Sequence, residues 1–99
     1  MTAQILQHPS LVGCSHLVAI ASPALVFAAC SDTQRIVAVD ATGGILTYEG
    51  EVSLDTEPGA MIEQGGFLWT VCADGSLRKY TIASTPVLTA TFDLGCSTE

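Results

Sequence analysis

The fold of this chain is decided by a stretch that occurs twice, first as Phe27-Ala28-Ala29-Cys30-Ser31-Asp32 and again as Trp69-Thr70-Val71-Cys72-Ala73-Asp74. The two copies lie 42 residues apart, and each runs from an aromatic residue through small or β-branched residues to an Asp. A second pair of segments keeps the same spacing, since Ile45-Leu46-Thr47 corresponds to Val87-Leu88-Thr89. A period of this length is typical of architectures built from repeated supersecondary units.

The repeat divides the chain into two units, 15–56 and 57–98, with an arm at 1–14 before them. Aligned this way, Ile20 of the first unit corresponds to Ile62 of the second. The 99 residues are enough for one small domain with a modest core.

Each unit contains four short apolar runs bounded by Gly, Pro, Asp and Ser, which is the pattern of β-strands. The predicted strands are 16–21, 24–30, 35–41 and 45–54 in the first unit, and 60–64, 67–73, 77–82 and 87–94 in the second. Asp74-Gly75 is a strong signal for a tight hairpin, because both residue types tolerate positive φ. The predicted fold class is all-β, with two tandem four-stranded antiparallel units. The first two strands are apolar almost throughout, which predicts burial on both faces.

Two segments resemble the repeats of β-propellers. The segment Phe67-Leu68-Trp69-Thr70-Val71-Cys72-Ala73-Asp74-Gly75-Ser76-Leu77-Arg78-Lys79-Tyr80 resembles the middle of a WD40-type repeat, and 35–44 is similar to a quinoprotein-type strand and turn. The Gly-His dipeptide is missing, and Val39-Asp40 and Tyr80-Thr81 stand at the Trp-Asp position, so the hydrogen-bond network of WD40 blades is not carried over. The resemblance implies two propeller-type blades, preceded by an arm or an exchanged strand at 1–14.

Two blades are too few to close a ring, so the resemblance implies that the chain assembles with copies of itself or with a protein partner that supplies further blades. Three copies giving six blades is the simplest closure, and four copies remain open. Only 13% of the residues are charged, which leaves two interpretations open: apolar surface buried between subunits, or a surface covered by Ser, Thr and Gln. The alternative fold is an eight-stranded sandwich in which the repeat reflects strand spacing alone.

The charge balance excludes two classes of partner. The formal net charge is −7, and the positive residues are Arg35, Arg78 and Lys79. Nucleic acids and anionic membranes are both bound through clusters of Lys and Arg, so neither is an expected partner. The first basic residue is Arg35, which leaves the preceding apolar run without the basic start of a signal peptide, and Pro23 interrupts that run. We expect a soluble cytoplasmic protein.

The four cysteines have no metal-binding spacing, so we assign no metal and no cofactor. Cys30 and Cys72 occupy matching positions inside strands and are expected in the core. Cys14 and Cys96 flank the repeats and could pair if the chain ends meet, but a cytoplasmic location predicts free thiols.

No set of residues predicts catalysis, so we expect the chain not to be an enzyme. Both histidines, His8 and His16, lie near the N-terminus. Glu49 and Glu51 share one strand face but are interpreted as a solvated surface.

The predicted binding residues come from the hairpin turns and from the two tyrosines. They are Asp32, Arg35, Tyr48, Asp74, Arg78 and Tyr80. The matching Asp residues would place one acidic group per blade around a rim, where Ca²⁺ binding is an alternative to a turn-capping role. Tyr48 and Tyr80 are expected to be the exposed rings, and Trp69 is expected in the core.

The leading functional hypothesis is a non-enzymatic protein-binding or scaffold module. The alternative is a small multivalent lectin-like carbohydrate binder, in which a ring of weak sites gains avidity.

Overall fold

The computed structural model describes residues 8–9, 11–20 and 24–94. Eight strands form, close to the predicted bounds: β1 (Cys14–Ile20), β2 (Leu25–Cys30), β3 (Arg35–Asp40), β4 (Thr47–Ser53), β5 (Pro58–Gln64), β6 (Phe67–Cys72), β7 (Ser76–Thr81) and β8 (Leu88–Asp93). A 3-10 turn at Thr42–Gly44 precedes β4. The arm before residue 8 and the proposed partner Cys96 lie outside the described residues.

The strands form two four-stranded antiparallel sheets, which confirms the all-β prediction. The first sheet has the order β1-β2-β3-β4, and the second has the order β5-β6-β7-β8. Each sheet is therefore a meander of consecutive strands, without the long Greek-key connections that are usual in immunoglobulin-type sandwiches. This arrangement is consistent with blade-like units.

The strand registers define which residues of the two sheets correspond. One row across the first sheet contains Val18, Phe27, Ala38 and Gly50. The corresponding row of the second sheet contains Ile62, Trp69, Lys79 and Ala90. Phe27 and Trp69 keep the spacing of the sequence repeat, but Ile62 corresponds to Val18 and not to Ile20. The reason is loop length, since residues 21–24 join the first two strands and only Gly65-Gly66 joins their counterparts.

One face of each sheet packs against the other sheet, and these two faces are called the inner faces. The first sheet contributes a largely apolar surface to the shared core, consisting of Leu25, Phe27, Ala29, Ile36 and Ala38. The second sheet contributes Met61, Leu68, Cys72 and Tyr80. β5 lies against β1 and β2, where the two sheets come closest. Burial of this shared core is the main apolar stabilisation that the described residues provide.

The prediction that β1 is buried on both faces is wrong. β2 and β3 are the buried strands of the first sheet, whereas β1 is largely exposed. β1 is an edge strand, and only Val18 and Ile20 of its side chains pack against the shared core. Leu17, which points to the opposite face, is 69% exposed.

A disulfide joins Cys14 to Cys30, which contradicts the expectation of free thiols. The antiparallel register sets these residues opposite each other at the ends of β1 and β2. A disulfide that closes a loop of this length stabilises a protein by about 3 kcal/mol in the chain-entropy model. Cys72, at the position matching Cys30, is a buried free thiol, and its burial raises the pKa of the thiol.

The hairpin turns of the two units use the same hydrogen bonds with different residues. Gln34 and Gly75 both have positive φ, 55° and 84°. The N–H of each donates a hydrogen bond to the carbonyl oxygen three residues earlier. The carbonyl oxygen of Gln34 accepts a hydrogen bond from the N–H of Leu54, and that of Gly75 accepts one from the N–H of Leu94. Each of these donors directly follows the last strand of its unit. The first unit therefore places a residue with a Cβ where the second unit has glycine.

We expect opposite effects from exchanging these two residue types. Gly75→Ala should lower the free energy of unfolding by about 1 kcal/mol, because a Cβ disfavours the left-handed region. Gln34→Gly should not lower it, because the native conformation already suits glycine. Urea denaturation of both variants measures the difference. An unchanged Gly75→Ala variant would contradict this account of the turn.

Candidate functional site

The most distinctive surface is the outer face of the second sheet, which points away from the shared core. It contains an open cavity of about 640 Å³, lined mainly by apolar side chains. The side chains that shape it are Ile62, Phe67, Trp69, Val71, Leu77 and Lys79. We call this surface the apolar cleft.

The cleft follows from the alternation of side chains along β6. Leu68, Thr70 and Cys72 are buried against the first sheet, so Phe67, Trp69 and Val71 must point to the other side. A strand with one solvent-exposed face usually has polar residues on that face. β6 instead is apolar on both faces, and this leaves hydrophobic side chains exposed.

Trp69 is half-buried in the cleft, so the prediction that it lies in the core is wrong. Its indole N–H donates to the carbonyl oxygen of Gln64 at 3.2 Å. Its ring stacks with Phe92 of β8, with 6.1 Å between the ring centroids. These contacts hold the indole in a fixed orientation on the sheet surface.

Lys79 is the one charged residue among those that line the cleft. Its ammonium lies 3.9 Å from the centre of the Phe67 ring and 5.3 Å from the centre of the Trp69 ring. Both distances fall within the range of cation–π attraction. The cleft is thus an aromatic and aliphatic surface that carries one positive charge.

The predicted site residues of the second unit form a structural network, in which Arg78 and Tyr80 lie on the inner face and Asp74 lies in the β6–β7 turn. Arg78, only 9% exposed, donates hydrogen bonds to Ser76 Oγ at 3.2 Å and to Asp74 Oδ2 at 3.1 Å. It also forms an ion pair with Asp55 at 2.7 Å. Together these contacts tie the linker between the units to the β6–β7 turn.

The electrostatics of this network favour its charged form. Burial alone would lower the pKa of Arg78, but hydrogen bonds to Asp55 and Tyr80 outweigh that effect and raise it. The hydroxyl and N–H of Ser76 donate to Asp74 and lower the pKa of that carboxyl. Tyr80 is 1% exposed, so the expectation of an exposed ring is wrong, and burial raises the pKa of its phenol.

The predicted residues of the first unit lie at two other places. Arg35 forms an ion pair with Glu51, and Tyr48 donates to the other oxygen of Glu51 at 2.7 Å, which raises the pKa of the tyrosine. The Tyr48 ring is half-buried and stacks on His8, with 3.8 Å between the centroids. Asp32 lies in the β2–β3 turn with its carboxyl close to Gly13. The six predicted residues therefore lie in separate groups and do not form one site.

Sequence reasoning missed the cleft, although one signal could have indicated it. Phe27 and Ala29 are buried, and Trp69 and Val71 stand at the corresponding repeat positions. Of the second pair, Trp69 was predicted to lie in the core. The first pair faces a second sheet, whereas the described chain has no third sheet to cover the second pair. Counting sheets against apolar faces would have identified the surplus face.

Residues 8–9, 11–20 and 24–94 contain no group of three His, Cys, Asp or Glu side chains that could hold a metal ion. Ser15 Oγ lies 2.9 Å from His16 Nδ1, but the pair is exposed on β1 and does not line the cleft. In this same part of the chain, no helix has the length and apolar character needed to cross a bilayer.

The chain has no match among family models or among curated proteins. The apolar cleft is therefore the candidate functional site on physical grounds alone.

We expect Asp74→Asn to destabilise the protein at neutral pH, because Arg78 then loses a charged partner while it stays buried. The stabilisation from Asp74 is fully present above the pKa of an unfolded Asp, about 3.8, and is lost as pH falls through the lower folded-state value. Thermal unfolding of the variant and the parent should therefore converge in acid.

The matched control is Asp32→Asn, in the corresponding turn of the first unit, where Arg35 pairs with Glu51 instead. Equal losses of stability in the two variants at pH 7 would show that the Arg78 network has no special weight.

Proposed function

We propose that this chain is a non-enzymatic protein-binding or scaffold module and that the apolar cleft is its docking surface. The observation that carries the proposal is the exposure of Ile62, Val71 and Phe92 around Trp69 on one sheet face. Contiguous exposed apolar surface usually marks an interaction site in a soluble protein. Aromatic anchors surrounded by aliphatic side chains are typical of the centres of protein–protein interfaces.

We also propose that the two sheets are propeller-type blades. Three features support this relationship: the 42-residue repeat, the meander order of both sheets, and the packing of one sheet face on the next. The sequence resemblance to WD40-type and quinoprotein-type repeats supplies the name of the superfamily.

A carbohydrate-binding role is the second candidate, favoured by an open cavity that contains Trp69 and the polar Gln64. Sugars stack on the flat faces of exposed aromatic rings. Here Phe92 stacks on Trp69, and Lys79 lies over Phe67, so both rings already have neighbours on a face. These contacts favour a protein partner over a sugar.

A cytoplasmic location stays a prediction. Disulfides persist mainly in oxidising compartments, so the redox state of the Cys14–Cys30 pair, trapped by alkylation when the cells are lysed, bears on it directly. Nucleic acid and membrane remain disfavoured as partners because of the net charge of −7.

The proposal is tested by placing a photo-reactive benzophenone side chain at position 71 and irradiating cells that express the chain. We expect a discrete adduct whose second component is a protein, identified by mass spectrometry. The matched control carries the same group at position 45, since Ile45 is also exposed but does not line the cleft. An adduct from the control alone would contradict the proposal.

The carbohydrate alternative has its own measurement, because Trp69 is the only tryptophan of the chain. Titration with a panel of sugars should leave its fluorescence unchanged if the cleft binds protein. A saturable change at millimolar sugar or below, with no photo-adduct at position 71, would replace the scaffold proposal with the lectin-like one.

A further inference from the structure

The interface between the two sheets provides a template for what the apolar cleft binds. Inside the chain, the inner face of the first sheet packs on the inner face of the second. Because the sheets are repeats in register, each residue of that interface has a counterpart on one of the two outer faces. The outer faces can therefore be compared, position by position, with surfaces whose packing is known.

The apolar cleft is the counterpart of the inner face of the first sheet. Ile36 corresponds to Leu77, since Ala29 pairs with Ile36 and Val71 pairs with Leu77. Ala29 is fully buried against the second sheet, whereas Val71 is 43% exposed. The remaining counterparts of the cleft residues Ile62, Trp69 and Phe92 are Val18, Phe27 and Val52, all of which pack in the shared core.

The outer face of the first sheet is the counterpart of the other side of the internal interface. Leu17 pairs with Ala28 and Met61 pairs with Thr70, so Leu17 corresponds to Met61. Met61 is 6% exposed in the shared core, and Leu17 is 69% exposed. Each outer face thus exposes an apolar residue at a position that the internal interface buries.

We propose that the apolar cleft docks onto the outer face of the first sheet of a second copy of this chain, in a head-to-tail arrangement. This inference rests on the proposed function and names its partner. The contact repeats the packing that already joins the two sheets, so it continues an established interface and needs no new surface. An interface of this heterologous kind closes into a ring or extends as a filament. Three copies would place six sheets in a ring.

Charge favours this pairing over a symmetric one. Lys79 is the charged residue of the cleft, and two clefts packed on each other would bring two Lys79 ammonium groups together. Like charges that face each other across an interface disfavour association. On the outer face of the first sheet, Glu51 is paired with Arg35, so Lys79 meets a surface without a net like charge, in a chain of net charge −7.

One segment of the same chain covers part of that outer face. Leu11 packs on a cluster that includes Val37 and Val39. No described residue covers the half of the face around Leu17, and Val26 beside it is half-buried. An incoming sheet therefore meets Leu17 first, and full overlap moves the segment that carries Leu11 aside.

The decisive experiment measures mass in solution by light scattering for two charge variants and their mixture. The parent chain should form a discrete multiple of 10.3 kDa. Val71→Asp removes one docking face and Leu17→Asp removes the other, so each variant alone should have the mass of a single chain. Mixed, they should form a dimer with one copy of each, because each supplies the face that the other lacks.

Controls separate loss of docking from loss of folding. Ile45→Asp, at an exposed residue that belongs to neither strand face, should keep the mass of the parent. Circular dichroism should show that both single variants are folded. The milder substitutions Val71→Ser and Leu17→Ser should weaken assembly less than the corresponding Asp substitutions do. The double variant should stay a single chain in every mixture.

Three outcomes would overturn the inference. The parent chain is a single chain at all concentrations, Leu17→Asp keeps the mass of the parent, or the two single variants do not associate when mixed. Failure of this inference is distinguishable from failure of the proposed function. If the parent is a single chain but the photo-adduct at position 71 contains a different protein, the docking surface stands and only its occupant is wrong.

Discussion

The apolar contact between the two sheets is the interaction on which this structure depends. An isolated four-stranded meander of this size has one face to bury and little to bury it with. Here the inner faces of the two sheets cover each other and enclose Phe27, Ile36, Leu68 and Tyr80. Everything else, from the Arg78 network to the position of the apolar cleft, is arranged around that contact.

The same contact explains why the molecule is asymmetric although its sequence repeats. A repeat that packs one face on the next has an unused face at each end. At one end the chain covers part of that face with Leu11 and with the Tyr48 ring, which stacks on His8. At the other end Trp69, Val71 and their neighbours have no such cover among the described residues. The functional proposal rests on this difference between the two ends.

Much of the fold could be predicted because strands and turns are encoded locally. Apolar runs between turn residues located all eight strands, and Asp74-Gly75 located a hairpin. The positions of side chains relative to the sheets were harder, because β6 is apolar on both faces and its pattern does not say which one is buried. Tyr80 and Trp69 were consequently assigned to the wrong environments. β5 is also shifted by two residues relative to β1 in the 42-residue alignment. The loops between the first two strands of the two units differ in length, and the alignment did not include that difference.

The cysteines show a different limit. Their spacing in the sequence indicated no disulfide pairing. The alignment of the two units matched Cys30 with Cys72, which lie in different sheets. Cys14 bonds to Cys30 because an antiparallel hairpin brings the start of β1 beside the end of β2, a consequence of pairing and not of sequence distance.

The two halves of the molecule are consequently braced by different chemistry. The first sheet has a covalent bond at Cys14–Cys30 besides the Arg35–Glu51 ion pair, and the second has ionic contacts between Arg78, Asp55 and Asp74. A thiol reductant breaks the disulfide and leaves the ionic contacts of both sheets intact, whereas protons at low pH weaken the ionic contacts and leave the disulfide intact. A reducing environment thus loosens the first sheet alone, and acid loosens both.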